Sequence, residues 1–311
     1  MPVAMPMTTV RLPVCSDTDV YGIAVSLHGS RHSRRRILCL PGLLETRHGF
    51  DGLIREARRN AQIFTLDFAG RGDSDHLSGA GSYRMSACLR DACAAYSFAL
   101  GAAAHLARPT ALQGLLPFDM PLPPDASNIH LVGNSMGALV GVFLAGRKPS
   151  SLRSLIINDV GSLLPWSSLI ALFGAIGRAS LPSTDFPTMA GGGWQLARQL
   201  NIDKNLLAAI VQPSYLDLPH QREIAGLNFR QAFHAVDVPV LVIHSADSVI
   251  VNKSVRLAMR HLPPNYSFLE IGGSAHPVAY DETVGAAVQR FMESAEKSVL
   301  PDPAANEIAL C

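Results

Sequence analysis

A surplus of charge of either sign is missing from this sequence. Lys and Arg number 26, Asp and Glu 25, and the formal net charge is +1. Nucleic acid and anionic membranes are bound through clustered positive charge, so this balance argues against both as partners. The one dense basic run, RHSRRR (Arg31–Arg36), lies between two strand-like segments and reads as a solvated hairpin turn. Cysteine is scarce and unpatterned: Cys15, Cys39, Cys88, Cys93 and Cys311 fit neither zinc-ligand spacing nor a C-x-x-C redox pair. Reduced thiols in a cytoplasmic protein are the expectation. Cys88 and Cys93 read as small apolar residues packed in a helix, and Cys311 lacks the three following residues of a prenylation signal.

Long apolar runs are missing too. The most apolar stretch, LLPWSSLIALFGAIGRASL (Leu163–Leu181), is interrupted by Pro165, several serines and Arg178. A spanning helix needs about 20 predominantly apolar residues, so no membrane span is expected. The opening MPVAMPMTTVRLPV has no basic segment followed by an apolar one, which argues against a signal peptide. Glycine clusters at GAGS (Gly79–Ser82) and GGG (Gly191–Gly193) do not sit between strand and helix with G-x-G-x-x-G spacing. They read as flexible loops, and neither a cofactor nor a metal is expected.

What the sequence does contain is a core. Its 311 residues are 48% hydrophobic and 16% charged, enough for one large α/β domain or a core with a smaller subdomain. Short apolar runs rich in β-branched residues predict strands at Ile37–Leu40, Ile63–Asp67, Ile129–Val132, Ser154–Asn158, Val240–His244 and Ser267–Ile271. They are apolar throughout instead of alternating, which implies burial on both faces and a mostly parallel sheet. Helical segments fall between them: Gly49–Asn60, Met85–His105, Met136–Arg147, Lys253–His261 and Asp281–Ser298. That alternation predicts a doubly wound α/β fold, preceded by an antiparallel pair in TTVRLPV and DVYGIAVSLHG.

Two regions break the rhythm. About eighty residues separate the strand ending near Asn158 from the one starting at Val240. They contain the apolar stretch Leu163–Ala179, the AGGGW segment (Ala190–Trp194) and helix-like pieces around Gln195–Val211 and Gln221–His234. This reads as a helical cap over residues 161–235, set on a core of residues 1–160 and 236–298. Within it, PWSSLIALFGAI (Pro165–Ile176) either packs on the sheet or lines an apolar substrate pocket. The second region, Leu106–Asn128, is rich in proline and polar turn residues and reads as an extended connection. The tail after residue 298 carries little to pack.

HLVGNSMGALVG (His130–Gly141) places G-x-S-x-G between a strand and a helix, the context of a nucleophile elbow. Small residues at Gly133 and Gly137 let strand and helix approach, which projects Ser135 clear of the sheet edge. A serine hydroxyl needs a base, and the base an orienting acid. His276 follows the last strand in GGSAHP, and Asp247 follows the strand VPVLVIHSAD. All three lie at the C-terminal ends of strands, where open parallel sheets form sites. Asp247 is the favoured acid. Asp159, in INDVG just past the preceding strand, is the alternative and otherwise a turn residue. The N–H of Met136, which starts the helix, and that of Leu43, in the loop PGLLET, are the expected oxyanion donors. His244, inside a strand, reads as a core histidine.

With LPGLLET, DFAGRGDSD, GNSMG, INDVG, HSADSVIV and GGSAHP the chain resembles the α/β-hydrolase superfamily over about Ile37–Phe291. The resemblance implies a serine hydrolase in which Ser135 is the nucleophile, His276 the base, Asp247 the acid, and Leu43 and Met136 the oxyanion donors. It implies a carboxylic ester hydrolase of EC 3.1.1 type, acting through an acyl-enzyme on a small apolar substrate. The branches with an aspartate nucleophile do not fit Ser135. GNSMG is similar to the carbon–carbon bond hydrolases of meta-cleavage products. Those usually carry an aromatic residue after the histidine and an arginine after the acid, where this chain has Pro277 and Ser248. Cofactor-free perhydrolysis uses the same triad and stands as a further alternative. A non-enzymatic ligand receptor would be marked by a missing triad member, and none is missing.

Overall fold

The computed structural model describes residues 8–16, 19–30, 33–105, 128–179, 201–273 and 276–297. Its centre is an eight-stranded sheet in the order β1-β2-β4-β3-β5-β6-β10-β11. The strands are β1 (Thr8–Cys15), β2 (Val20–Gly29), β3 (Arg36–Leu40), β4 (Gln62–Leu66), β5 (Ile129–Asn134), β6 (Leu152–Asn158), β10 (Val240–Ser245) and β11 (Tyr266–Ile271). β1 and β2 form the expected antiparallel pair, β2 joins β4 antiparallel, and every pairing from β4 to β11 is parallel. The apolar runs take this form because successive side chains point to opposite faces and both faces are covered. Ile37, Cys39, Ile63, Val132 and Ile156 share one buried cluster with Phe50, Leu53, Val284 and Met292. Leu38, Leu40, Phe64, Leu131 and Leu155 share the other with Leu139, Val142 and Ala92.

The helices beside the sheet are α1 (Asp51–Ala57), α2 (Met85–His105), α3 (Met136–Ala145), α7 (Lys253–Met259) and α8 (Glu282–Lys297). α1 and α8 cover one face, α2 and α3 the other. α3 is so enclosed that nine of its ten residues are buried.

Between β6 and β10 the expectation of an all-helical insertion needs correcting. β7 (Leu163–Pro165), β8 (Gln221–Arg222) and β9 (Gly226–Asn228) form a small antiparallel sheet, with α4 (Trp166–Ala179), α5 (Lys204–Ile210) and α6 (Arg230–His234) around it. The predicted helix over Gln221–His234 is a hairpin followed by a short helix. Gly226 sits at φ 158°, with Leu164 and Pro165 packed where a side chain would be, so the chain runs extended beside β7. The AGGGW segment, nearly all of Leu106–Asn128 and the tail after 298 lie outside the described residues.

The basic run is also different from its expectation. β2 and β3 are not neighbours in the sheet, so the run is not a hairpin. Nor is it wholly solvated: Arg35 grips Glu296 through Nε and Nη2, both at 2.7 Å. The buried Arg36 donates to the carbonyls of Ala99 and Leu100 at the core side of α2. Cys88 is buried in α2 as expected, while Cys93 is half-buried beside Arg147. His244 is buried within β10.

Candidate active site

The turn from β5 into α3 is tight. Ser135 occupies φ 48°, ψ −114°, a conformation L residues rarely adopt. Two glycines make room for it. A Cβ on Gly133 would lie 2.3 Å from Ala138 Cα, and one on Gly137 would lie 2.1 Å from the Leu40 carbonyl oxygen. The turn is stitched to the neighbouring strand, since the Ser135 N–H donates to the Asn158 carbonyl at 2.8 Å. The hydroxyl is thus held at the C-terminal edge of the sheet by backbone geometry alone.

His276 reaches it from the loop after β11, with Nε2 2.8 Å from Ser135 Oγ. The other ring nitrogen, Nδ1, is 2.6 Å from Asp159 Oδ2. A carboxylate accepts hydrogen bonds, so the proton sits on Nδ1 and Nε2 is left to accept from the serine. Asp159 is fully buried, and Ser248 Oγ donates to the same Oδ2 at 2.9 Å. Asp247, the favoured acid of the sequence reading, is exposed, and its one described hydrogen bond runs from its backbone N–H to Ser245 Oγ. This is a correction with a topological cause. β6 lies directly beside β5, whereas β10 is one strand further out. The residue after β6 therefore falls next to Ser135, and Asp159 is turned inward by φ 59° and an N–H bond to the Ile243 carbonyl. The HSADSVIV loop still contributes, through Ser248 instead of Asp247.

Leu43 and Met136 both border the cavity in front of Ser135. Neither backbone N–H has a hydrogen-bond partner among the described residues. That of Met136 is one of the free donors at the start of α3. The loop carrying Leu43 is braced by Glu45, whose Oε2 accepts from the Gly42 N–H at 2.8 Å and from Asn134 Nδ2 at 3.1 Å. Asn134 in turn accepts from the Tyr280 hydroxyl at 2.8 Å and from Asn158 Nδ2 at 3.3 Å. Asn158 closes the network by exchanging two hydrogen bonds with the backbone of Val278, two residues beyond His276. A buried set of polar side chains thus joins the Leu43 loop, the serine turn and the histidine loop.

The cavity, about 70 Å³, runs from Ser135 under the insertion. Leu139, Val160, Leu164, Leu169, Leu172 and Ile210 form its walls. Among the described residues no charged side chain lines it. Of the two readings of the α4 stretch the structure favours the cavity-lining one: Leu169 and Leu172 face the cavity, while Ile170 and Trp166 are exposed instead of packed on the sheet. The insertion is tied down on one side by Asp203, which accepts from the Tyr83 hydroxyl at 2.6 Å and caps α5, and by Asp217, which accepts from Ser86.

The sequence pattern of the Alpha/beta hydrolase family matches residues 26–289. The chain belongs to that family. Among curated proteins, the 3-hydroxybutyrate-oligomer hydrolase of Cupriavidus necator is 26% identical over 154 residues, which is 50% of this chain and 44% of that protein. The aligned region therefore spans under half the length of that relative. Similar folds include a hydrolase of Rickettsia typhi (17% identity, TM-score 0.66, 93% of this chain and 99% of that one). A thermophilic esterase from Thermogutta terrifontis has 16% identity, a TM-score of 0.64 and the same coverage. No helix among the described residues is long and apolar enough to cross a membrane.

Several residues of this α/β hydrolase's site were not singled out from the sequence. Asn134 and Asn158 each end a strand at the site, and an amide in place of an apolar residue at the end of two buried strands was the available signal. Ser248 stood in the sequence only as a departure from a related pattern. Arg71 and Tyr215 gave no signal: one looks like a turn residue, the other lies alone in the insertion.

Proposed function

We propose that this protein is a serine-dependent hydrolase of carboxylic esters with a small, apolar acyl group. The observation that carries the reading is the hydrogen-bonded chain Ser135–His276–Asp159, at 2.8 and 2.6 Å, at the mouth of an apolar cavity. Ser135 Oγ attacks the ester carbonyl as its proton passes to His276 Nε2. Asp159 holds the imidazole through Nδ1 and stabilises the positive charge that forms on it. The N–H groups of Leu43 and Met136 donate to the carbonyl oxygen as negative charge develops on it, and being fixed beforehand they need no reorganisation. Collapse of the tetrahedral intermediate expels the alcohol, protonated by His276. Water, activated by the same histidine, then releases the acid and frees Ser135.

The lining, uncharged among the described residues, supports a neutral acyl group, because no side chain that lines the cavity would pair with a carboxylate. It weighs against the carbon–carbon bond reading, whose substrates are acids. The relative from Cupriavidus necator, by its name a hydrolase of an ester oligomer, adds short hydroxyacyl esters to the substrates worth testing. The insertion between β6 and β10 acts as the cap that selects the acyl group, and the free thiols of Cys39 and Cys88 suit a reducing cytoplasm. Ser135→Ala should lose hydrolysis of p-nitrophenyl butyrate by several orders of magnitude and escape labelling by a fluorophosphonate. Wild-type turnover by that variant would end the proposal.

A further inference from the structure

Arg71, in the DFAGRGDSD loop after β4, is fully buried and makes no ion pair among the described residues. Burying a guanidinium is costly unless its donors are satisfied, and here the buried Asp91 acts on it only at a distance, without a direct ion pair. On the core side its guanidinium carbon lies 5.7 Å from the centre of the Phe68 ring, with Cys88 and the buried Asp91 of α2 nearby; most of its hydrogen bonds lead toward the site. Nε donates to the Leu43 carbonyl at 2.8 Å, and Nη1 donates to the Ala69 carbonyl at 3.0 Å. Nη2 donates to the Tyr215 hydroxyl at 3.2 Å and lies 4.0 Å from Met136 Sδ. The Tyr215 hydroxyl itself points at that sulfur, 3.2 Å away. One side chain thus touches both residues that border the cavity with an N–H left without a described partner, and a third residue that comes from the insertion.

We propose that Arg71 is a positioning residue for the oxyanion hole: it fixes Leu43 and Met136 relative to each other and, through Tyr215, ties that spacing to the cap. The proposal rests on the ester-hydrolase reading above. Its geometry follows from the peptide planes. The Gly42 carbonyl accepts from the Glu45 N–H at 3.3 Å, so the Leu43 N–H, on the opposite side of the same trans peptide, is turned away from Glu45. The next plane is pinned by Arg71 at the Leu43 carbonyl. Leu43 is thereby held from both sides, and only its N–H is left to point into the cavity. The guanidinium charge, enclosed where water does not screen it, also favours negative charge building up on the far side of Leu43 and Met136. An apolar residue of similar length would fill the space and supply neither effect.

The test compares Arg71→Met, Arg71→Lys and Tyr215→Phe with the wild type, using p-nitrophenyl butyrate and an alkyl boronic acid, with thermal unfolding as the check on folding. The expected result for Arg71→Met is a fall in kcat of about 100-fold with KM within threefold, because the hole acts on the transition state and not on the bound ester. Affinity for the boronic acid, which mimics the tetrahedral state, should fall in step with kcat/KM. Arg71→Lys, which keeps the charge but carries all its donors on one nitrogen and cannot span the same acceptors, should lie between the two. Tyr215→Phe should lose less than tenfold in kcat, since the Leu43 bond survives. A folded Arg71→Met with kcat within threefold of wild type, or with its loss confined to KM, would overturn the proposal. If Arg71→Met does not fold, wild-type kcat in Arg71→Lys overturns it instead. Activity in Ser135→Ala would sink the hydrolase reading itself, whereas an inactive Ser135→Ala beside fully active Arg71 variants would sink this inference alone.

Discussion

Gly137→Ala adds one methyl group where the structure has no room for it. The new Cβ would stand 2.1 Å from the Leu40 carbonyl oxygen and 2.4 Å from that of Pro41. Both obstacles are backbone, so no rotamer change relieves the clash. Restoring an ordinary contact requires α3 and the end of β3 to separate by roughly 1 Å, in a region packed like a crystal. Overpacking of this kind costs about 1–3 kcal/mol or more, which in a protein of this size lowers Tm by several degrees. The effect on turnover should be larger than the effect on stability. Met136 sits on the helix that moves and Leu43 on the loop it moves away from, so the two N–H groups lose their spacing. A misplacement of about 1 Å costs on the order of 100-fold in rate. Gly141→Ala, one turn along the same helix, is the control. Its Cβ would meet only the side-chain methyl groups of Leu155 and Leu40, at 3.1 and 3.5 Å. It gains helix propensity of up to about 1 kcal/mol against a small repacking loss. Steady-state hydrolysis of p-nitrophenyl butyrate and thermal unfolding of both variants decide the matter. If Gly137→Ala retained kcat within a few-fold of wild type, or if both glycines behaved alike, the steric account of the elbow would be wrong.

Acid stability should depend on Glu296. Its carboxyl is held down at about 2 by the hydrogen bonds from Arg35, with a further contribution from His130. A carboxylate whose folded pKa is depressed adds stability above its unfolded pKa and loses it as pH falls through the folded one. The gap in urea midpoint between wild type and Glu296→Gln should therefore be widest at neutral pH and narrow from about pH 4.5 downward. A gap independent of pH refutes this. His130, whose charged form is disfavoured by burial, adds a loss in the same direction below its ordinary value. On the cap side, Asp203→Ala removes the α5 cap and the partner of the Tyr83 hydroxyl together. A loss of about 2 kcal/mol is expected in chemical denaturation, and a loss under 0.5 kcal/mol would mean that this clamp does not bear on stability.

The sheet was legible because its inner strands β3, β4, β5, β6 and β10 are buried on both faces. From Ile37 to Ile271 each apolar run became a strand whose ends differ from the expectation by at most two residues. The helices between them were legible for a related reason, since Met85–His105 and Met136 onward present apolar residues at helical spacing to a covered face. The insertion was not. Around Gln221–His234 the buried apolar residues Leu227, Phe229 and Phe233 have a spacing that resembled a helix, although Gly226 sets an extended path there. That Ser135, His276, Leu43 and Met136 gather at one place was readable from local context, each standing just past a strand. Which aspartate meets the histidine was not, because choosing between Asp159 and Asp247 requires the order of strands in the sheet. Chain position places both after a strand, and only the adjacency of β6 to β5 brings Asp159 to His276. Arg71 is hidden for the same reason: its partners lie on four different segments.

The identity of the acid is the most direct test of this account. kcat/KM for p-nitrophenyl butyrate should be compared between Asp159→Asn and Asp247→Asn, both confirmed to fold. Replacing the orienting carboxylate by an amide favours the wrong tautomer of the histidine, and a loss on the order of 10³–10⁴-fold is expected for Asp159→Asn. Asp247→Asn, on an exposed turn, should stay within threefold of wild type. A greater loss from Asp247→Asn than from Asp159→Asn would contradict the assignment and with it the geometry proposed for the site.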